Sequence, residues 1–475
     1  MTEDSQEDHS APAGEYTFWE AVRAAIRGAP ADLTEAPLKT AIVLMAVPMV
    51  LEMVMESVFA IVDIFWVSKL GSESVAAVGL TEAMLALVYT VAMGLSIGVM
   101  AVVSRRTGEK DPDAAARATV QAIWLGVSIS VGIAVIGWFH SETLLRAMRA
   151  PPEVIEVGIG YTRAILVGNA AILLLFLINA AFRGAGDAAI AMRVLWLGNG
   201  INLVLDPVLI FGLGPFPELG VTGAGIATVT GRSIAVLVQL ITLASLSDRL
   251  RVRFKHLSVQ PVVMWRLIRL SATGTFQFLI SMASWLILVR ILAGFGAQAV
   301  AGYTIGIRIV LFALLPSWGM ANAAATLVGQ GLGAGKPERA EAAVWLAGRL
   351  NLYFLGSVGI VLIAFAPQIV ELFGGDPVAK AHAVNALRII AAGFFFYAYG
   401  MVLTQSFNGA GDAWTPTFIN LLCFWLWEIP LAYFLATRTA LGPSGVYWAI
   451  MLAFSSVAVI SAVLFKRGSW KDKAV

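Results

Sequence analysis

The sequence predicts an all-α membrane protein of about 12 transmembrane helices, built as two six-helix bundles related by a direct repeat. Three observations carry this. Of 475 residues, 59% are hydrophobic and 13% charged, against roughly half and about a quarter in globular domains. Apolar runs long enough to cross a bilayer recur along the whole chain, and none alternates apolar with polar as an outer-membrane barrel strand would. Finally, motifs in the first half return in the second at a constant offset.

The elements follow in order. Residues 1–37 form a polar leader, acidic over Met1–Asp8 and without the cationic start of a signal peptide. Within it, Phe18, Trp19, Val22 and Ile26 share one side of a helical wheel, so the leader is either an interfacial helix or a disordered lead-in to Pro37. The first lobe, 38–247, holds apolar runs at about 41–67, 76–103, 119–139, 159–182, 190–213 and 222–246. A polar linker at 248–261 begins Asp248-Arg249-Leu250-Arg251. The second lobe, 262–465, holds runs at about 267–293, 299–328, 343–366, 385–407, 416–437 and 444–465, and a basic tail occupies 466–475.

The repeat is read from motif pairs. Leu70-Gly71 returns as Phe295-Gly296, Gly94 as Gly319, and Phe182-Arg183-Gly184-Ala185-Gly186-Asp187 as Phe407-Asn408-Gly409-Ala410-Gly411-Asp412, each displaced by 225 positions (296 − 71, 319 − 94, 407 − 182). An even number of helices per copy gives both copies the same topology. Lys and Arg gather on one side: Arg105, Arg106, Lys110 and Arg117, then Arg183 and Arg193, the linker cluster, Lys336, Arg339 and Arg349, and the tail. The other side keeps Lys69, Arg146, Arg149, Arg163, Lys380, Arg388 and Arg438. That bias puts both termini in the cytoplasm of a multi-pass inner-membrane protein.

Charges inside the spans each require a reason, because one at mid-membrane costs at least about 2.5 kcal/mol. Glu52, Glu56 and Asp63 share one face of span one, a turn beyond Pro48, whose missing donor should bend the helix. Span five carries Asn202 and Asp206 at i, i+4, and span six carries Thr228. Two carboxylates, an amide and a hydroxyl suit Na⁺, and paired carboxylates equally suit H⁺. The competing reading is that the acids pair with buried arginines, Arg232, Arg290 and Arg308 being available. The two Gly-Ala-Gly-Asp turns read as structural. Met53, Met55, Met84, Met93 and Met100 crowd the first two spans, as core filler or as an adaptable cavity lining.

Several classes are excluded. The net charge of +2 shows no concentrated basic face for nucleic acid. No phosphate-binding loop for ATP is present, so energy comes from an ion gradient. The histidines, His9, His140, His256 and His382, share no ligand spacing, and the lone Cys423 excludes disulfides and thiolate metal sites. No cofactor and no enzymatic role are expected.

From Pro37 to Phe465 the chain resembles the multidrug and toxic compound extrusion (MATE) transporters. The resemblance rests on Pro48, Phe59-Ala60-Ile61-Val62-Asp63, Val75-Ala76-Ala77-Val78-Gly79, the Gly184-Ala185-Gly186-Asp187 turn, Asn202-Leu203-Val204-Leu205-Asp206-Pro207 and Gly223-Ala224-Gly225-Ile226-Ala227-Thr228. It implies a V of two bundles that exports cationic or amphipathic organic compounds by alternating access, in exchange for H⁺ or Na⁺. It further implies the branch whose cation site lies in the first lobe: Asp63, Asn202, Asp206 and Thr228, with Pro48 as the bending proline and a fourth-span asparagine. Asn179 fits that last place by spacing and Asn169 by depth. Glu52 and Glu56 depart from the pattern, either facing the central cavity or pairing with Arg308. The alternative reading is a flippase for lipid-linked oligosaccharides or precursors within the same superfamily. The expected partners are small amphipathic or cationic molecules and the lipid bilayer, and a monomer is the expected state.

Overall fold

The computed structural model describes residues 16–246, 249–374 and 376–473. The acidic start Met1–Asp8, His9 and the linker residue Asp248 lie outside the described residues. Among the described residues there is no strand, and ten helices are long and apolar enough to cross a membrane, with two further bent pairs that bring the number of spans to 12.

An amphipathic helix, α1 (Phe18–Arg27), precedes the spans. Thr17 caps it by accepting from the Glu20 amide, and Glu20 accepts in return from the Thr17 amide at 2.9 Å. Gly28, at φ +69°, ends it. Ala21 and Ala25 are buried while Phe18, Trp19 and Ile26 are exposed, so its apolar face is only partly covered by protein.

The first lobe follows as α2 (Leu38–Ser68), which runs unbroken through Pro48, α3 (Ser72–Gly108), α4 (Pro112–Ala147), the pair α5 (Pro152–Val167) and α6 (Asn169–Ala185), α7 (Ala188–Phe211) and α8 (Gly220–Ile241). The second lobe is α9 (Pro261–Ala293), α10 (Ala297–Gly333), α11 (Pro337–Ala364), the short α12 (Ala366–Glu371), the pair α13 (Pro377–Ala392) and α14 (Phe394–Gly409), and α15 (Trp414–Asn420). A π-helical stretch, Leu421–Glu428, joins α15 to α16 (Ile429–Arg438), and α17 (Ser444–Lys466) closes the chain.

The repeat reappears at the helix boundaries. Helices α3 and α10 start and stop 225 residues apart (297 − 72, 333 − 108). Gly71 and Gly296, before them, share φ +101°, a conformation open to glycine. The fourth span of each lobe breaks at equivalent glycines, Gly168 and Gly393, with bends of 41° and 59°.

Close approaches between the lobes obey the same symmetry. A Cβ on Gly108 would lie 2.1 Å from the Gln330 carbonyl oxygen, and one on Gly333 would lie 2.2 Å from that of Arg105. Nearer mid-span, a Cβ on Gly94 would meet Thr275 of α9, and one on Gly319 would meet Met49 of α2. Backbone-to-backbone packing of this kind gathers dispersion contacts that a bilayer cannot otherwise supply. These contacts hold the lobes together toward the end that bears the linker, the tail and α1, here termed the basic end.

The segment between α1 and α2 also bridges the lobes at that end. From the first lobe, Lys110 pairs with Asp32 at 3.5 Å and Arg249 donates to the Ala31 carbonyl at 2.7 Å. From the second, Arg339 donates to the carbonyls of Leu33 and Ala36, and Lys336 pairs with Glu35. The Lys336 hydrogen bond holds the Glu35 carboxyl below its ordinary range. In the tail, Trp470 is buried against Phe465, and Lys473 pairs with Asp412 at 3.4 Å.

Gly108→Ala and Gly333→Ala should each destabilise the protein by about 1–3 kcal/mol, because backbone must shift to admit the methyl group. Gly79→Ala, with nothing within 4 Å of the added atom, should be neutral in comparison. Thermal melts of the purified variants test this, and a Gly333→Ala melt that matches the Gly79→Ala melt would contradict the crossing geometry.

Candidate functional site

Three polar tiers climb through the first lobe on α2, α6, α7 and α8. Their spacing is helical: Glu52, Glu56 and Asp63 on α2, Asn199, Asn202 and Asp206 on α7, Thr228, Arg232 and Gln239 on α8. Steps of three, four and seven residues keep each set facing its neighbours.

The tier nearest the basic end centres on Glu52, which is 2% exposed. Its Oε1 accepts from Arg183 Nη1 and from Asn179 Nδ2, both at 3.1 Å, and Gln239 donates to Asn179 Oδ1 at 2.6 Å. In the middle tier Glu56 accepts from Asn199 Nδ2 at 3.1 Å and from Arg232 Nη2 at 3.5 Å. Arg232 also donates to the Tyr89 hydroxyl at 2.9 Å and lies 5.8 Å from the ring centroids of Phe59 and Tyr89. Both glutamates are thus neutralised inside the lobe, as a buried charge requires.

The outermost tier differs. Asn202 Nδ2 donates to Asp206 Oδ1 at 3.2 Å and to Thr228 Oγ1 at 3.1 Å. Asp206 is fully buried, and its Oδ2 and the Asn202 Oδ1 have no hydrogen-bond partner; Glu52 Oε2 is likewise without one, but among the described residues Asp206, unlike Glu52, is paired with no cationic side chain. Asp63 is also buried and within electrostatic reach of Asp206. Among the described residues, no side chain donates to the Asp63 carboxylate. Buried oxygens without donors are costly unless something cationic or protonic serves them. The donor set is all hard oxygen, which fits H⁺ or Na⁺. Among the described residues no group of three His, Cys, Asp or Glu side chains is arranged to hold a metal ion.

The structure therefore brings Asp63, Asn202, Asp206 and Thr228 to one region, and corrects other readings. Neither asparagine of the fourth span joins them. Asn179 is committed to Glu52 and Gln239, three turns beyond the helix break. Asn169 opens α6 directly after Gly168 and donates to the carbonyls of Leu166 and Ser130, where the broken helix leaves acceptors free. Glu52 and Glu56 do not pair with Arg308 but with Arg183 and Arg232. The reason is placement: both arginines lie in the same lobe, whereas Arg308 is an exposed residue of α10 whose charge reaches Glu82 of α3. Pro48 is buried in a continuous α2.

Sequence reasoning missed Arg183 as a buried partner, because it sits near a span end and reads as a loop charge. Its i, i+4 spacing from Asn179 was the available signal. In the second lobe Glu428 ends the π-helical stretch Leu421–Glu428 and is buried, with Ser284 donating to it at 3.0 Å. The cavity beside it contains Met282 and Met401, not the methionines of the first two spans.

A family model described as MatE matches residues 48–208 and 274–434, one match in each lobe. The "Probable multidrug resistance protein NorM" of Thermotoga maritima is 23% identical over 438 residues, covering 92% of this chain and 94% of that protein. The "Probable multidrug resistance protein YoeA" of Bacillus subtilis is 26% identical, covering 91% and 94%. The solved structure of a MOP superfamily transporter from Pyrococcus furiosus superposes with a TM-score of 0.86 at 28% identity, covering 93% of this chain and 98% of that one.

Arg183→Met should leave Glu52 buried without its cation, at a cost of about 3–5 kcal/mol. The double variant Glu52→Gln/Arg183→Met should recover most of that loss. Melting temperature and yield in detergent report both, and equal stability of the single variant and wild type would show that the pair does not hold the lobe together.

Proposed function

As a member of the MatE family, the chain is a multi-pass membrane transporter, and we propose that it exports amphipathic or cationic organic compounds in exchange for H⁺ or Na⁺. The reading rests on one observation: the outermost tier leaves Asp206 Oδ2 and Asn202 Oδ1 buried and unpartnered beside Asp63, while the glutamates below are already neutralised. Asp63, Asn202, Asp206 and Thr228 form the coupling site. A cation entering there satisfies the free oxygens, and its departure leaves two carboxylates that repel each other. Occupancy thus biases the lobe between arrangements, which is how an ion gradient drives the alternation of access.

The basic end is cytoplasmic, since Lys and Arg concentrate there, and both termini lie on the cytoplasmic side of the inner membrane. The protein works as a monomer without ATP. A flippase for pyrophosphate-linked lipids would need an open cationic cradle, whereas the two buried arginines of the polar tiers, Arg183 and Arg232, are each engaged by a glutamate.

Proteoliposomes loaded with ethidium, with pH and Na⁺ gradients imposed separately, test the reading. One gradient alone should drive transport, and ATP without any gradient should drive none. ATP-dependent transport in ion-equilibrated vesicles would overturn it. A cysteine placed at Ser469, in a Cys423→Ala background, should label only from the cytoplasmic side, whereas labelling from outside would reverse the topology.

A further inference from the structure

The second lobe carries a cavity of about 450 Å³ between α9, α10, α14, α17 and the π-helical stretch. That volume suits a drug-sized ligand. Its walls are aromatic and organised in pairs. Phe278 stacks on Trp318 with centroids 5.8 Å apart and planes within 10°, and Tyr397 stacks on Phe454 at 4.3 Å. Leu288, the position equivalent to Asp63 in the repeat (288 − 225 = 63), also lines it. Where the first lobe presents a coupling carboxylate, the second presents apolar surface.

Glu428 is the one charged residue among those lining the cavity. It is 3% exposed, and Ser284 donates to its Oε2 at 3.0 Å. No basic side chain lines the cavity to neutralise it, in contrast to Glu52 and Glu56. The Gln277 Oε1, buried and also lining the cavity, has no hydrogen-bond partner. The π-helical winding that turns Glu428 inward is secured to α9, with Trp425 donating to the Ile280 carbonyl at 2.9 Å. Such π segments recur at functional positions.

We propose that this cavity is a second-lobe binding site for flat aromatic monocations, with Glu428 as the counter-ion and the stacked aromatic walls as the platform. The assignment rests on the multidrug-export reading and names where its cationic cargo sits. A cation over aromatic faces in a desolvated pocket gains from the ring quadrupoles, and the single carboxylate completes its charge balance. Coupling in one lobe and cargo in the other gives each duplicated bundle a separate task.

The test uses wild-type protein in nanodiscs with two probes of nearly equal shape, 10-methylacridinium and neutral acridine, at pH 8. Wild type should bind both, with quenching of its tryptophan fluorescence. Glu428→Gln should weaken 10-methylacridinium by at least about tenfold while changing acridine by less than about twofold. Thr404→Trp, which fills the cavity, should weaken both. A thermal melt equal to that of wild type establishes that Glu428→Gln is folded. If Glu428→Gln weakens both probes equally or neither, or if Thr404→Trp leaves both bound, the assignment is overturned while the export reading stands. If wild type binds neither probe, this assignment is overturned, and the export reading is decided separately by gradient-driven transport of ethidium.

Discussion

Two carbonyl oxygens pressed against two glycines organise this molecule. Gly108 and Gly333 occupy equivalent places in the repeat, and each admits the backbone of the other lobe where α3 and α10 cross. A side chain at either position would separate the helices. Farther along, the same two helices keep touching the other lobe, Gly94 of α3 against Thr275 of α9 and Gly319 of α10 against Met49 of α2, before each turns to its own bundle. Gly158 of α5 packs on Ala77 of α3, and Gly302 of α10 packs on α13 at Ala379 and His382. The lobes therefore meet along a seam of small residues that runs from the basic end into mid-span. The strap between α1 and α2 crosses the same end with ion pairs to both lobes.

Within that frame the bilayer dictates how charges are used. Every buried charge must be paired, protonated or matched by a ligand. The first lobe applies the first solution twice, at Glu52–Arg183 and Glu56–Arg232, and withholds it at Asp206, while Asp63 feels the charge of Arg232 without an ion pair of its own. Compensated tiers hold helices together, and the tier without an ion pair is the one proposed to take a mobile cation. The second lobe carries Leu288 in place of Asp63 and sets its one cavity carboxylate on a π-helical segment instead. Duplication thus conserved the scaffold and let the polar contents of the two bundles diverge.

Much of this was legible in the sequence. The 225-residue offset anticipates the equal lengths of α3 and α10, and the i, i+4 pair Asn202–Asp206 anticipates a shared face with Thr228. What was illegible has physical causes. Helical periodicity reports which residues share a face but not which helix that face meets, so the sequence left Glu52 and Glu56 between the central cavity and Arg308, with Arg232 as one candidate partner among three. Arg183 is a charge near a span end that turns inward, and composition cannot distinguish this from a loop cation. The π-helical winding of Leu421–Glu428 is likewise invisible to a pattern read at 100° per residue. The leader admitted two readings, and the capping box of Thr17 and Glu20 with Gly28 accounts for the helix found.

The central claim is that ion coupling resides in one lobe. The most direct measurement is gradient-driven efflux at saturating substrate from vesicles containing Asp63→Asn, Asp206→Asn or Glu428→Gln, each checked for folding. Either aspartate change should abolish coupled efflux at any substrate concentration, because it removes an ionisable oxygen of the proposed coupling site. Glu428→Gln should retain coupled efflux once substrate saturates. Loss of coupling in Glu428→Gln together with intact coupling in Asp63→Asn would contradict the account.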